Sequence, residues 1–225
     1  MLSKALFSIL LGGAAMPLLA SAQSCSVASN LDITFYGNPD NDPAGSTATA
    51  YDCGAGRNFN AGGSGSYNDP LTFATAQGEF KTCEIVYFPY IKKYIRMEDY
   101  CQTCTEDWAV GRWHIDIWTG NNVNGGNTQV QCENSLTPGP DQWVIRNPSP
   151  NLEVDLTELF VNPRTCNTNH VYLNNPASKY CSTGSNPGGG CQTDCAWQGH
   201  CLGCSCATFN DCDEDFICTN GVCSH

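Results

Sequence analysis

The sequence predicts an all-β domain that closes into a barrel, followed by a small disulfide-built module. Three observations carry this expectation. Short runs rich in β-branched and aromatic residues alternate with Gly, Pro, Asn and Asp clusters. No convincing amphipathic helix is evident between residues 23 and 181. The chain also holds 16 cysteines in 225 residues, a density suited to disulfides in an oxidising compartment.

The chain divides readily by composition. Residues 1–22 carry one early lysine, Lys4, then an uncharged apolar run that ends in Ala20-Ser21-Ala22. That pattern predicts a secretory signal peptide, so the protein is expected to be secreted and extracellular. No other stretch approaches the apolar length needed to cross a membrane. Residues 23–181 form the expected barrel, with eight widely spaced cysteines. The Gly- and Ser-rich residues 182–190 read as a linker. Residues 191–225 pack the other eight cysteines into a short segment whose core needs staples, and Trp197, His200, Phe209 and Phe216 are read either as its apolar filling or as a carbohydrate- or partner-binding face. Each module is expected to close its own disulfides. The CxxC pairs at Cys101/Cys104 and Cys201/Cys204 are read as disulfides rather than as zinc or redox sites.

Within the barrel region the strands are expected in sequence. Leu31–Tyr36 alternates apolar and polar residues, and the Gly37–Pro43 stretch forms a long turn. Leu71–Ala76, Glu84–Phe88, Ile91–Met97, Thr128–Cys132 and Gln142–Arg146 read as strands, while Leu152–Phe160 is ambiguous. Trp113–Trp118 has a strict period of two. It sends Trp113, Ile115 and Ile117 one way and His114, Asp116 and Trp118 the other. Lys92 and Lys93 are read as solvated lysines on an edge strand.

Charge excludes some functions. With 10 basic and 22 acidic residues, the formal net charge is −12. A nucleic-acid binder needs the opposite balance, so no nucleic-acid partner is expected. No membrane partner, cofactor or metal is expected either. Asp40 and Asp42 could begin a calcium loop, but the remaining oxygen ligands are not evident. The chain is read as a monomer.

The strand that carries Asp116 points to chemistry. A carboxyl between an imidazole and an indole has a pKa open to its neighbours, and glycosidic cleavage needs such an acid to protonate the leaving oxygen. In order, the chain shows Thr34-Phe35-Tyr36-Gly37, Leu71–Ala76, Cys83-Glu84-Ile85, Asp99-Tyr100-Cys101 and His114-Ile115-Asp116. This series resembles the six-stranded double-psi β-barrel of expansins, barwin-like proteins and family-45 endoglucanases. Ala61–Ala76 and Tyr90–Tyr94 are also similar to a group of secreted filamentous-fungal and bacterial proteins. The resemblance implies that Asp116 occupies the position of the H-F-D aspartate, with Ile115 in place of the phenylalanine. That position is the general acid of the endoglucanases, and expansins need it without clear hydrolysis. The endoglucanase base lies just after the opening strand, which points to Asp40 or Asp42. Asp99 is the other candidate, because Glu98 would face away from it. The catalytic candidates are therefore Asp116, Asp99 and Asp40. Tyr36, His114, Trp118 and Tyr94 are the candidates for substrate binding. A cell-wall polysaccharide is the expected partner, cleaved by hydrolysis or lysis, including a lysozyme-like reaction. Wall binding without catalysis, or a secreted effector on a barrel scaffold, are the alternatives. The cysteine-rich tail resembles the endings of colipase- and dickkopf-like knots.

Overall fold

The computed structural model describes residues 25–120, 124–161 and 164–181, together with positions 204, 206, 212, 217–219 and 222–224. The expected signal peptide, the linker and most of the cysteine-rich module lie outside the described residues.

Six strands close on themselves: β1 (Ser26–Tyr36), β2 (Leu71–Thr75), β3 (Ile85–Phe88), β4 (Lys93–Tyr100), β5 (Trp113–Trp118) and β6 (Gln142–Arg146). Their order around the barrel is β1-β5-β2-β4-β3-β6. Two neighbouring pairs, β1–β5 and β2–β4, are parallel and the other four are antiparallel. Closure removes the edges that a mostly β chain of this length would otherwise expose.

Alternation fills the interior. Leu31, Ile33 and Phe35 of β1 meet Leu71 and Phe73 of β2, Val86 of β3, Ile95 and Met97 of β4, and Ile115 and Ile117 of β5 in one buried cluster. The register places Ile33 beside Ile115 and Phe35 beside Ile117, so both strands send the same parity of residues inward. The other parity of β1 and β5 faces outward and carries Thr34, Tyr36, His114, Asp116 and Trp118.

Three expectations change. Ile91–Met97 is not one strand, because Lys92 adopts φ 49° and its N–H returns to the Pro89 carbonyl at 3.3 Å. The strand begins instead at Lys93 and runs to Tyr100. Thr128–Cys132 is not a strand either. It belongs to the helix α2 (Asn127–Leu136), and a shorter helix, α1 (Gln102–Trp108), follows β4. Lys93 is not a solvated edge lysine, since the closed barrel has no edge there. Its side chain is buried, with Nζ donating to the Ser64 and Asp155 carbonyls, and burial lowers its pKa to about 8. Lys92 pairs with Glu153 at 2.7 Å. The ambiguous Leu152–Phe160 stretch is mostly irregular. Phe160–Val161 forms β7, which pairs with β8 (Thr165–Cys166).

The eight cysteines of the barrel region pair among themselves as Cys25–Cys181, Cys53–Cys83, Cys101–Cys104 and Cys132–Cys166. The Cys132–Cys166 bond ties α2 to β8. In the disulfide-rich C-terminal region, Cys206–Cys218 and Cys212–Cys223 brace a hairpin of β9 (Ile217–Thr219) and β10 (Val222–Ser224). Among the described residues, no helix is long and apolar enough to cross a membrane.

Candidate functional site

Four carboxyl groups gather on the outer face of the barrel around the end of β1. Register explains the first two. Asp116 on β5 lies across from Ala74 on β2, and Ala74 lies across from Asp99 on β4. Two strand spacings separate their backbones, on the order of 10 Å. A bulge between Phe73 and Ala74 lets Asp99, rather than Glu98, face Ala74. Ala74, the smallest side chain in this row, lies buried between the two acids.

Asp116 is partly exposed, and its Oδ1 accepts the Thr34 hydroxyl at 2.8 Å. Burial pushes its pKa up to about 7; the Thr34 hydrogen bond opposes this, while the charges of Asp40 and Asp99 reinforce it. Thr34 sits between Asp116 and His114, whose Nε2 is 3.1 Å from the same hydroxyl oxygen. His114 Nδ1 in turn lies 2.8 Å from Asp107 Oδ2 on α1. An acid, an imidazole and a hydroxyl thus line up behind Asp116 and fix its orientation.

Asp99 is buried and fully engaged. Its Oδ1 accepts the N–H groups of Ala50 and Tyr100, both at 2.8 Å, and its Oδ2 accepts the Tyr36 hydroxyl at 3.0 Å. Burial raises the Asp99 pKa against those hydrogen bonds. Burial also raises Tyr36 well above the ordinary phenol value, helped by the charges of Asp99 and Asp116, so Tyr36 remains a donor.

Asp40 is exposed in the loop after β1, where its Oδ1 accepts the Gly37 N–H at 3.0 Å. The loop is held by Asn38 and Asn41, whose side-chain amides both reach the Ser46 carbonyl at 3.1 Å. Asp42 is exposed in the same loop.

The fourth carboxyl, Glu133, comes from α2 and is absent from the sequence expectation. It is 2% exposed, Thr119 donates to its Oε1 at 3.4 Å, and its Oε2 has no hydrogen-bond partner. Burial, then the charges of Asp40 and Asp116, push its pKa up to about 8. A glycine admits it. A Cβ on Gly37 would lie 1.9 Å from Gln129 Nε2 and 2.6 Å from Glu133 Oε1, so the glycine leaves room for these two side-chain ends of α2 against the end of β1.

The expected binding residues divide. Tyr36 and His114 join the site through Asp99 and Thr34. Trp118 is fully buried, edge-on to Tyr36 with ring centroids 5.2 Å apart, and Tyr94 is fully buried in a separate cluster with Tyr87 and Ile145. Neither ring presents a surface to a ligand. Tyr100, beside Asp99, is 44% exposed and does. Its place in the Asp99-Tyr100-Cys101 motif was the available signal.

Two cavities, of about 80 Å³ beside Tyr90 and Trp143 and about 290 Å³ beside Lys93 and Glu158, include none of the four acids. The sulfur atoms of Cys206, Cys212 and Cys223 lie close enough for a metal, but each is engaged in a disulfide and offers no thiolate.

A family described as the DDB_G0273701 N-terminal domain matches residues 28–167, well over half of the chain and all but the ends of the barrel region. The chain belongs to that family. Within this N-terminal-domain family, an uncharacterized Dictyostelium discoideum protein is 36% identical over 131 residues, covering 57% of this chain and 55% of its own. A 30-residue stretch is 47% identical to endo-chitosanase C of Aspergillus oryzae, covering 13% of this chain and 8% of that enzyme. The chain thus spans about half the length, or less, of the curated relatives it matches. No solved structure matches.

Proposed function

We propose that this protein is a secreted, glycan-cleaving enzyme in which Asp116 is the general acid. The observation that supports this most directly is the Asp116 carboxyl itself. With a pKa pushed up to about 7 it keeps much of its proton at mildly acidic pH, and it stands on an open surface beside other carboxyls. The second requirement of inverting hydrolysis is a carboxylate that activates water, and Asp40 and Asp99 are its two candidates. Tyr100 offers an exposed ring beside the acids on which a sugar can lie. The closed six-stranded barrel supports this reading, and the series from Thr34 to Asp116 resembles the double-psi arrangement, in which Asp116 would stand at the H-F-D position.

Charge narrows the substrate. A chain with a net charge of −12 attracts a polycation and repels an anionic wall polymer. Chitosan, a cationic polymer of amino sugars, is therefore the first substrate to try, and the short likeness to an endo-chitosanase points the same way. The disulfides are compatible with an extracellular life.

The test compares the protein with Asp116→Asn on chitosan, chitin, cellulose and peptidoglycan, scoring new reducing ends and pull-down. The substitution should lower release by about 10²–10⁴-fold, the usual contribution of a general acid, and leave binding in place. Pull-down without release from any of the four polymers would overturn the enzymatic reading and leave a binding protein. Unchanged release in Asp116→Asn would remove Asp116 from the chemistry.

A further inference from the structure

The four acids around the end of β1 have no cation among them. Among the described residues, no lysine, arginine or histidine forms an ion pair with Asp40, Asp99, Asp116 or Glu133. Carboxylates so placed cannot all be ionised, and a proton must be kept somewhere in the group. The question is where it stays and what it does there.

Geometry separates the four. Asp99 has both oxygens occupied by donors, two from the backbone and one from Tyr36. Asp116 accepts from Thr34. Asp40 uses one oxygen for the Gly37 N–H, and Glu133 Oε1 lies 2.6 Å from where a Cβ on that same glycine would be, so the two carboxyls flank Gly37, and the Asp40 charge acts on Glu133. Glu133 is the most secluded, 2% exposed, with its Oε2 given no donor by the protein. Two carboxyl groups that flank one glycine, one buried with an unsatisfied oxygen and one open to solvent, form a stable contact only when one of them donates. The buried one gains most from being neutral.

We propose that Asp40 and Glu133 share one proton, held on Glu133, whose hydroxyl donates to Asp40 and aims that ionised carboxylate as the water-activating base. Glu133 is then a positioning residue for Asp40. The inference rests on the glycan-cleaving reading and deepens it, since it selects Asp40 over Asp99 as the partner of Asp116. Asp99 is buried under three donors and out of reach of bulk water, whereas Asp40 is exposed and open to it. The groups that act on Glu133 are Asp40 from the loop after β1, Asp116 from β5, Thr119 just beyond β5, and Gln129 from its own helix, which donates to Thr119. The first two are acidic, the others neutral, and all are compatible with a retained proton. Nothing in the arrangement moves the proton during turnover. Asp40 takes a proton from water while Glu133 keeps its own.

A titration independent of activity tests this. The side-chain carboxyl carbon of Glu133 is followed by NMR in the full-length protein across about pH 4 to 9, assigned by its loss in Glu133→Gln. It should titrate near 8 and move down markedly in Asp40→Asn, which removes the neighbouring charge. Titration of Glu133 in the ordinary glutamate range, or no response to Asp40→Asn, overturns the proposal. So does a shift of this resonance, with a raised Tm, on adding calcium ions alone, because the pair would then be a cation site. Turnover on the cleaved glycan gives the second readout. Glu133→Gln keeps a donor and should stay within about threefold of the parent, while Glu133→Ala should lose about 10²-fold in kcat. Equal losses in the two variants would overturn the positioning role. If no glycan is cleaved at all but the titration behaves as stated, the glycan-cleaving reading fails and the shared proton stands.

Discussion

Two neighbouring acids on one strand are built on opposite principles. On β4, Glu98 is 2% exposed and saturated with cations and donors. Arg57 reaches its Oε2 at 2.5 Å, the Arg96 Nε donates to its Oε1 at 2.8 Å, and Thr72 donates at 2.6 Å. Next to it, Asp99 belongs with Asp116, Asp40 and Glu133 in a set with no cation. Contrary to the expectation from sequence, alternation does not separate Glu98 from Asp99: the bulge opposite Phe73 and Ala74 keeps both on the outer face, Glu98 beside Arg96 and Thr72 and Asp99 beside Ala74. The difference separates an acid that fastens the long loop before β2 to the barrel from a set of acids with no counter-charge to hold them ionised. A fold gains nothing in stability from four unpaired carboxyls, so their company calls for another explanation.

The contrast can be broken from either side. Arg57→Ala, which leaves the buried Glu98 short of a partner, should cost about 3 kcal/mol or more in urea unfolding, as breaking a buried pair does. A loss below about 1 kcal/mol would show that Glu98 does not depend on Arg57.

A pH series on the intact protein sharpens the same comparison. Asp116 and Glu79 are raised to about 7 and Glu133 to about 8, in each case chiefly by burial, from ordinary values of 3.8 to 4.5. The folded state therefore binds more protons than the unfolded chain in this window. Stability from these groups is fully present below about pH 4 and is lost as pH rises through 7 to 8. Thermal unfolding should give a lower Tm at pH 8 than at pH 5. Asp116→Asn should flatten that decline, whereas Arg57→Ala should lower the curve while leaving the decline in place.

The smallest expected effect concerns the open surface. Tyr100→Ala removes an exposed ring beside Asp99 and should raise KM on the cleaved glycan several-fold, about 1 kcal/mol of stacking, with kcat little changed. A fall in kcat with unchanged KM would place Tyr100 among the groups that act on the transition state instead.

Much of this was legible in the sequence. The alternation of Leu31–Tyr36 and Trp113–Trp118 identified β1 and β5, their inward faces, and the outward placement of His114 and Asp116. What escaped was α2, and the reason is instructive. Its buried positions, Gln129, Cys132, Glu133 and Leu136, have helical spacing, but two of the four are polar. Hydrophobic periodicity reads only apolar positions, so a helix that buries a glutamine and a glutamate is invisible to it. Missing α2 also meant missing Glu133. Trp118 and Tyr94 escaped for a related reason. Alternation assigns a side to each residue, but it does not say that Tyr36 will cover one ring and that Tyr87 and Ile145 will enclose the other. The residues that nature left small or polar were harder to read than the strands that carry them.

Gly37 turns this into something that can be used without coordinates. The space where its side chain would be is occupied by Gln129 and Glu133. A side chain at that position would have to displace those two side-chain ends. A related sequence with a larger residue after the Tyr36 position should therefore re-aim Gln129 and Glu133 and change how Glu133 meets Asp40. Glycine there, together with glutamate on the following helix, is a two-position signature for the whole carboxyl set. A sequence that keeps Asp116 but breaks that signature should keep the Asp116 carboxyl and lose the Glu133 contact on which the proposed pairing with Asp40 depends.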